Sequence, residues 1–182
     1  VGHTFDLDPV FTPAQARAAG LSRQRLESGP YRQVVRGVYA QLRTGDRAWV
    51  EAQAAVLVAA VDEAWASHHT AARLYSAVVP DTPQLHATVP PTVKRRRREG
   101  VVVHWGSGET RCFRGVRVSS PTQTFLDLSS TLDLVDLVVL GDSLVRRQRS
   151  AGSEAGRGGP SHAHGGGVRR PAPRGTRGAV GG

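Results

Sequence analysis

Thr12-Pro13-Ala14-Gln15, Gly20-Leu21-Ser22-Arg23-Gln24-Arg25-Leu26-Glu27 and Tyr31-Arg32-Gln33-Val34-Val35-Arg36-Gly37-Val38-Tyr39-Ala40 decide how this chain is read. Thr12 suits a helix N-cap, Pro13 the first helical position, and Gln15 stands where its amide can reach back in a capping box. A short helix over residues 14–19 is stopped by Gly20, since glycine accepts the left-handed geometry past a helix end. Ser22 caps a second helix over residues 23–27, ended by Gly29-Pro30. Two strands then flank an Arg36-Gly37 turn. Helix, four-residue turn, helix and hairpin is the layout of a winged helix-turn-helix, which offers its second helix to the DNA major groove. Arg23, Arg25, Arg32 and Arg36 face only Glu27 in this stretch, the charge balance of a phosphate-meeting surface. The same residues also fit a helical hairpin with solvated arginines. Residues 1–10, with Asp6, Asp8 and Pro9, carry little helical periodicity, so a helix ahead of the motif is not legible.

Composition divides the rest. The 182 residues are 39% hydrophobic and 21% charged, as in ordinary globular proteins. Residues 150–182 depart from that average, with eleven glycines, three prolines, five arginines and Glu154 as the one acid. Such a segment has too little apolar surface to offset its ordering entropy, and a disordered tail is expected. Residues 1–149 hold 19 basic and 14 acidic side chains, a net +5 against +9 for the whole chain. That balance fits a nucleic-acid partner without requiring one. A lone cysteine, Cys112, allows no intramolecular disulfide and no thiolate zinc cluster. The longest apolar run, residues 54–61, is far short of a membrane span, and a cytoplasmic protein is expected.

After the hairpin, Asp46 can cap a helix to about Val61 whose second half is apolar on every face, as in a helix with packing partners on several sides. Ser67 can cap another over residues 68–75. Leu85-His86-Ala87-Thr88-Val89 alternates as a strand, residues 101–105 form a second, and residues 113–118 a third. Ser120-Pro121-Thr122-Gln123 repeats the capping-box signature and opens a helix. A last helix over residues 132–147 is expected to bury Leu134, Val135, Leu137, Val138, Leu140 and Leu144. The fold class is therefore α+β: a winged helix-turn-helix over residues 1–42, an α+β domain over 43–149 and a tail over 150–182.

Taken in order, these strings carry a resemblance. They are Phe11-Thr12, Ala19-Gly20-Leu21-Ser22, Arg36-Gly37-Val38-Tyr39, Ser67-His68-His69-Thr70-Ala71-Ala72-Arg73-Leu74 and Leu85-His86-Ala87-Thr88-Val89-Pro90. Gly115-Val116-Arg117-Val118-Ser119-Ser120-Pro121, Thr124-Phe125-Leu126-Asp127-Leu128 and residues 139–147 complete the set. Over nearly all of residues 5–148 the chain resembles actinobacterial AbiEi-antitoxin-like proteins of type IV toxin–antitoxin systems. The resemblance implies a DNA-binding repressor that opposes a nucleotidyltransferase-like toxin without a tight complex, with double-stranded DNA as partner and no cofactor. Many such proteins continue into a very-short-patch-repair-like endonuclease domain. Here Gly-, Arg- and Pro-rich text follows Arg147 instead, the composition of a GC-rich gene read out of frame, so the alternative reading is an inactive N-terminal fragment. Relatives usually carry arginine where Gln123 stands, which puts an anion contact there in question.

Expected DNA contacts are Ser22, Arg23, Gln24, Arg25, Tyr31, Arg32 and Arg36, joined by Lys94, Arg95, Arg96, Arg97 and Arg98. The last five read as an exposed hairpin loop acting on phosphates, or simply as a solvated basic loop. His68-His69 is weighed as a metal or general-base pair and set down as structural. Adjacent helical residues point about 100° apart, and no cysteine or i+4 carboxylate completes a set. His162 and His164 would bind metal only incidentally. Asp127, Asp133, Asp136 and Asp142 lack a nuclease's strand-borne arrangement, so no catalytic residue, metal site or enzyme activity is expected.

Overall fold

In the computed structural model residues 7–95 and 98–155 are described, with side chains through Arg146. Strand β1 (Val10–Phe11) leads into helix α1 (Pro13–Ala18), then helix α2 (Arg23–Ser28) and the hairpin β2 (Tyr31–Val35) and β3 (Val38–Gln41). Thr12 closes a full capping box with Gln15, and Ser22 Oγ accepts the Arg25 backbone N–H at 3.3 Å. Gly29 ends α2 where a Cβ would sit 2.4 Å from the Arg25 carbonyl oxygen, and Gly37 turns the hairpin at φ 88°. The three strands pair in the order β1-β3-β2, all antiparallel. Phe11, Ala16, Leu21 and Leu26 form the core of this unit, with Tyr31 edge-on to Phe11 at 5.4 Å and Tyr39 stacked on it.

Helix α3 (Arg47–Ala59) is capped by the Asp46 carboxylate, which accepts the Trp49 N–H. That bond, and after it the Arg114 guanidinium, hold the Asp46 carboxyl below its ordinary value. Strand β4 (Trp65–Ala66), helix α4 (His68–Leu74), β5 (Leu85–Val89), β6 (Val101–Trp105), β7 (Thr110–Phe113), β8 (Val116–Ser119), α5 (Pro121–Ser129) and α6 (Leu134–Ala155) follow. The second sheet has the order β6-β5-β4-β8-β7, with β5–β6 and β4–β8 parallel and the remaining pairs antiparallel. The mixed α+β class expected from sequence is therefore what forms.

Helix α3 lies between the two sheets. Val50, Ala54, Ala55 and Val58 pack with Val10, Val38 and Ala40 of the first sheet and with Leu85, Ala87 and Val89 of the second. That explains its apolar character all round. Glu51 on α3 takes Arg47 and Arg73, and Arg73 also donates to the carbonyls of Thr82 and Gln84, which fixes α4 against α3 and the approach to β5.

Several expectations are corrected. Because β5 and β6 are parallel, Lys94, Arg95 and Arg98 lie on a crossover between them and are not in a hairpin loop, and Arg96 and Arg97 lie outside the described residues. Residues 113–118 are not one strand: Arg114 and Gly115 turn the β7–β8 hairpin with φ 53° and 79°. Ser67 makes no cap hydrogen bond, its hydroxyl being engaged elsewhere. Gln123 supplies its backbone N–H to Ser120 Oγ, but its side chain turns to Asp127 and leaves the second half of a capping box unmade. The last helix buries Leu140 and Leu144, whereas Leu134 is 77% and Val135 71% exposed and Val138 stands open beside them. It also continues to Ala155, past the expected start of the tail; residues 156–182, with His162 and His164, lie outside the described residues.

Candidate functional site

Two places hold chemistry-bearing side chains. The first was legible in sequence. Ser22, Arg23, Gln24 and Arg25 are exposed at the start of α2, with Arg23 paired to Glu27 at 2.9 Å. Tyr31 is half-buried against Phe11, so its ring is part of the core of this unit. Arg32 is half-buried on β2 and Arg36 exposed at the turn. The crossover comes close to that turn: Arg36 lies 3.6 Å from Glu99, and Val35 borders Gly100. Lys94, Arg95 and Arg98 are exposed, while Arg96 and Arg97 lie outside the described residues. Arg95 is tied back, its guanidinium 4.3 Å over the Trp105 ring and donating to the Val103 carbonyl. Trp105 in turn donates to the Val93 carbonyl. The basic crossover is thus anchored at both ends, beside the hairpin and on β6.

The second place was missed. His86 on β5 and His104 on β6 share the sheet face opposite α3, since Thr88 pairs with His104 and His86 with Val102. The start of α4 brings His68 over that face. Thr70 Oγ1 accepts the His86 backbone N–H at 2.8 Å, and Ser67 donates its N–H to the His86 carbonyl. His68 itself sits at φ 49°, a left-handed conformation that a side chain tolerates only when its surroundings hold it. Its ring stacks on His104 at 3.8 Å between centroids, and His86 Nδ1 approaches His104 Nε2 to 3.0 Å.

A cleft of about 240 Å³ opens from the His68 and His104 rings, lined among others by Trp65, Thr88, Trp105, Gly108, Gln123 and Asp127. A partly buried polar chain forms its floor. Trp65 Nε1 donates to Ser119 Oγ at 3.2 Å, which donates to Asp127 Oδ2 at 2.9 Å, while Gln123 Nε2 donates to Asp127 Oδ1 at 2.7 Å. Asp127 is thus engaged by internal partners on both carboxylate oxygens. Thr88 donates to Ser67 Oγ at 2.7 Å, and the same oxygen meets His68 Nδ1 at 3.0 Å.

Burial pushes His68 and His86 down to about 3, with the charges of neighbouring histidines adding to the effect. Burial lowers His69 and His104 as well, and for His104 the nearby Asp127 opposes it. At neutral pH these rings are uncharged, so the 3.9 Å approach of His68 to Asp127 is not an ion pair. The signal that could have exposed the site was in the strands. A histidine two residues before Thr88 and another in the next strand share a face whenever the two strands pair in this register. Only the parallel pairing fixes that register. No family model and no curated protein matches this chain.

Proposed function

We propose that the chain is a DNA-binding, antitoxin-type transcription regulator that reads duplex DNA with α2 and the β2–β3 hairpin. The observation that carries this reading is connectivity. A strand that precedes the two helices, β1, pairs with the second strand of the hairpin that follows them, in the order β1-β3-β2. That arrangement supports a winged helix, with α3 packed on the sheet where a further helix would otherwise cover it. Arg23, Gln24 and Arg25 occupy the first turn of α2, where a recognition helix meets base edges. Arg36 and the crossover beside it extend the positive surface along the backbone. The pairing with a nucleotidyltransferase-like toxin, functional and without a tight complex, rests on the resemblance of the sequence.

Anisotropy titrations against the gene's own upstream region at two salt concentrations test this reading. Arg25→Ala is expected to cost about 1–3 kcal/mol on the cognate site if it makes a bidentate base contact. Neutralising residues 94–98 is expected to weaken all duplexes alike and flatten the salt dependence. Undiminished binding by the Arg23→Ala, Arg25→Ala double variant overturns α2 as the reader.

A second reading, a targeting half whose partner nuclease domain resembles very-short-patch-repair enzymes, is favoured by the exposed Leu134, Val135 and Val138 on α6. An overlapping reading frame encoding that domain after the Arg147 codon would establish it.

A further inference from the structure

We infer that His68, His86 and His104 bind one divalent transition-metal ion, with an imidazole-only donor set suited to zinc, and that the ion's open position faces the cleft floored by Gln123 and Asp127. Three elements far apart in sequence deliver these rings, and one ring nitrogen from each lies within 4.8 Å of the other two. Three histidines with a fourth, open position is a recurrent zinc arrangement. With zinc–nitrogen bonds of about 2.0–2.1 Å, tetrahedral geometry places donor nitrogens about 3.3 Å apart. His86 Nδ1 and His104 Nε2 are already at 3.0 Å. His104 stands on β6, the outer strand of its sheet, and is half-exposed, so its ring can swing to admit the ion.

The surroundings fit the same assignment. His68 turns Nδ1 to Ser67 Oγ and, at 3.9 Å, to Asp127 Oδ2. That leaves Nε2 for the metal and gives Asp127 the part of a carboxylate that orients a ligating imidazole. Among the described residues, two buried ring nitrogens are left without a hydrogen-bond partner, His86 Nε2 and His69 Nδ1, on rings 5.1 Å apart. A metal on His86 Nδ1 fixes the proton on Nε2, and His69 Nδ1 then becomes its natural acceptor.

The test uses the full chain carrying His3→Ala, His162→Ala and His164→Ala, which removes the three histidines outside the described residues. Calorimetric titration with Zn²⁺ is expected to give one ion per chain. The Co²⁺ form is expected to show the intense visible absorption of a tetrahedral site, and Mg²⁺ to give no heat. His104→Gln is expected to weaken zinc by at least about 100-fold, beyond the roughly 10–100-fold cost of losing an orienting partner, which is the range expected for Asp127→Asn. His69→Gln is expected to fall within that smaller range as well. No saturable zinc binding, or binding unchanged in a folded His104→Gln, overturns the site. If His104→Gln does not fold, the cobalt spectrum of the parent decides alone: weak, octahedral absorption overturns the proposal and a tetrahedral spectrum upholds it.

Discussion

The two halves that α3 joins place their chemistry in opposite ways. In the N-terminal unit the candidate contact residues all fall within residues 22–36, most of them exposed, and are carried by elements whose ends are set by local caps and glycines. Around the second sheet the candidate site is assembled from residues up to 59 positions apart, His68 to Asp127, with the rings largely withdrawn from water. Exposed arginines cost the fold little and are available to a partner. Withdrawn imidazoles must be positioned and desolvated by the fold itself. A surface for a polyanion and a pocket for a small ligand or ion therefore make different demands on stability.

That contrast can be tested, beginning with the largest effect. Phe11→Ala removes the ring around which the N-terminal unit packs and is expected to cost about 3–5 kcal/mol. Because α3 is shared by both sheets, the loss should lower one unfolding transition that tryptophan fluorescence and circular dichroism report alike; two separate transitions would show that α3 does not couple the halves.

Acid is expected to act next, mainly through the buried histidines of the second half. His68 and His86 have folded values of about 3 against 6.5 for an ordinary histidine, so the unfolded chain binds more protons between those limits. Their contribution is therefore complete above pH 6.5 and lost as pH falls toward 3. Asp127 beside His68 and His104, and Arg73 and Arg95 nearby, set the local charge that modulates it. Urea melts in chelator across that range should show the midpoint falling with pH, and the slope should shrink in His68→Gln. A midpoint independent of pH in the parent would contradict the burial argument.

Asp127→Ala strands the Ser119 hydroxyl and the Gln123 amide and is expected to cost about 1–3 kcal/mol, read from the denaturation midpoint. The smallest effect belongs to the first half. Arg36→Ala breaks only an exposed pair with Glu99 and should change stability by no more than about 0.5 kcal/mol, while still weakening any duplex it contacts. A larger stability loss would make that arginine part of the fold and weaken its assignment to the partner surface.

Local signals were enough for the elements they govern. The Thr12–Gln15 box, the Ser22 cap, the Gly37 turn and the Asp46 cap are each decided within four residues, and each forms as the sequence indicates. Where a neighbour from a distant element competed, local reading failed. Ser67 looks like a cap but accepts from Thr88, and Gln123 looks like half of a capping box but serves Asp127. The apolar positions of α6 have a helical period, yet how many of them are covered depends on what packs beside them.

His68-His69 could not be read beyond a pair of adjacent rings, because their partners arrive from β5 and β6. The alternation of Leu85, Ala87 and Val89 determined by itself which face of β5 meets the core. It left open that β6 runs parallel, which puts His104 opposite Thr88 and so beside His86. Caps, turns and charge follow from the chain alone because their energies are settled between near neighbours. The histidine cluster was decided by strand order and register, which depend on the burial of whole faces and have no counterpart in any short stretch of sequence.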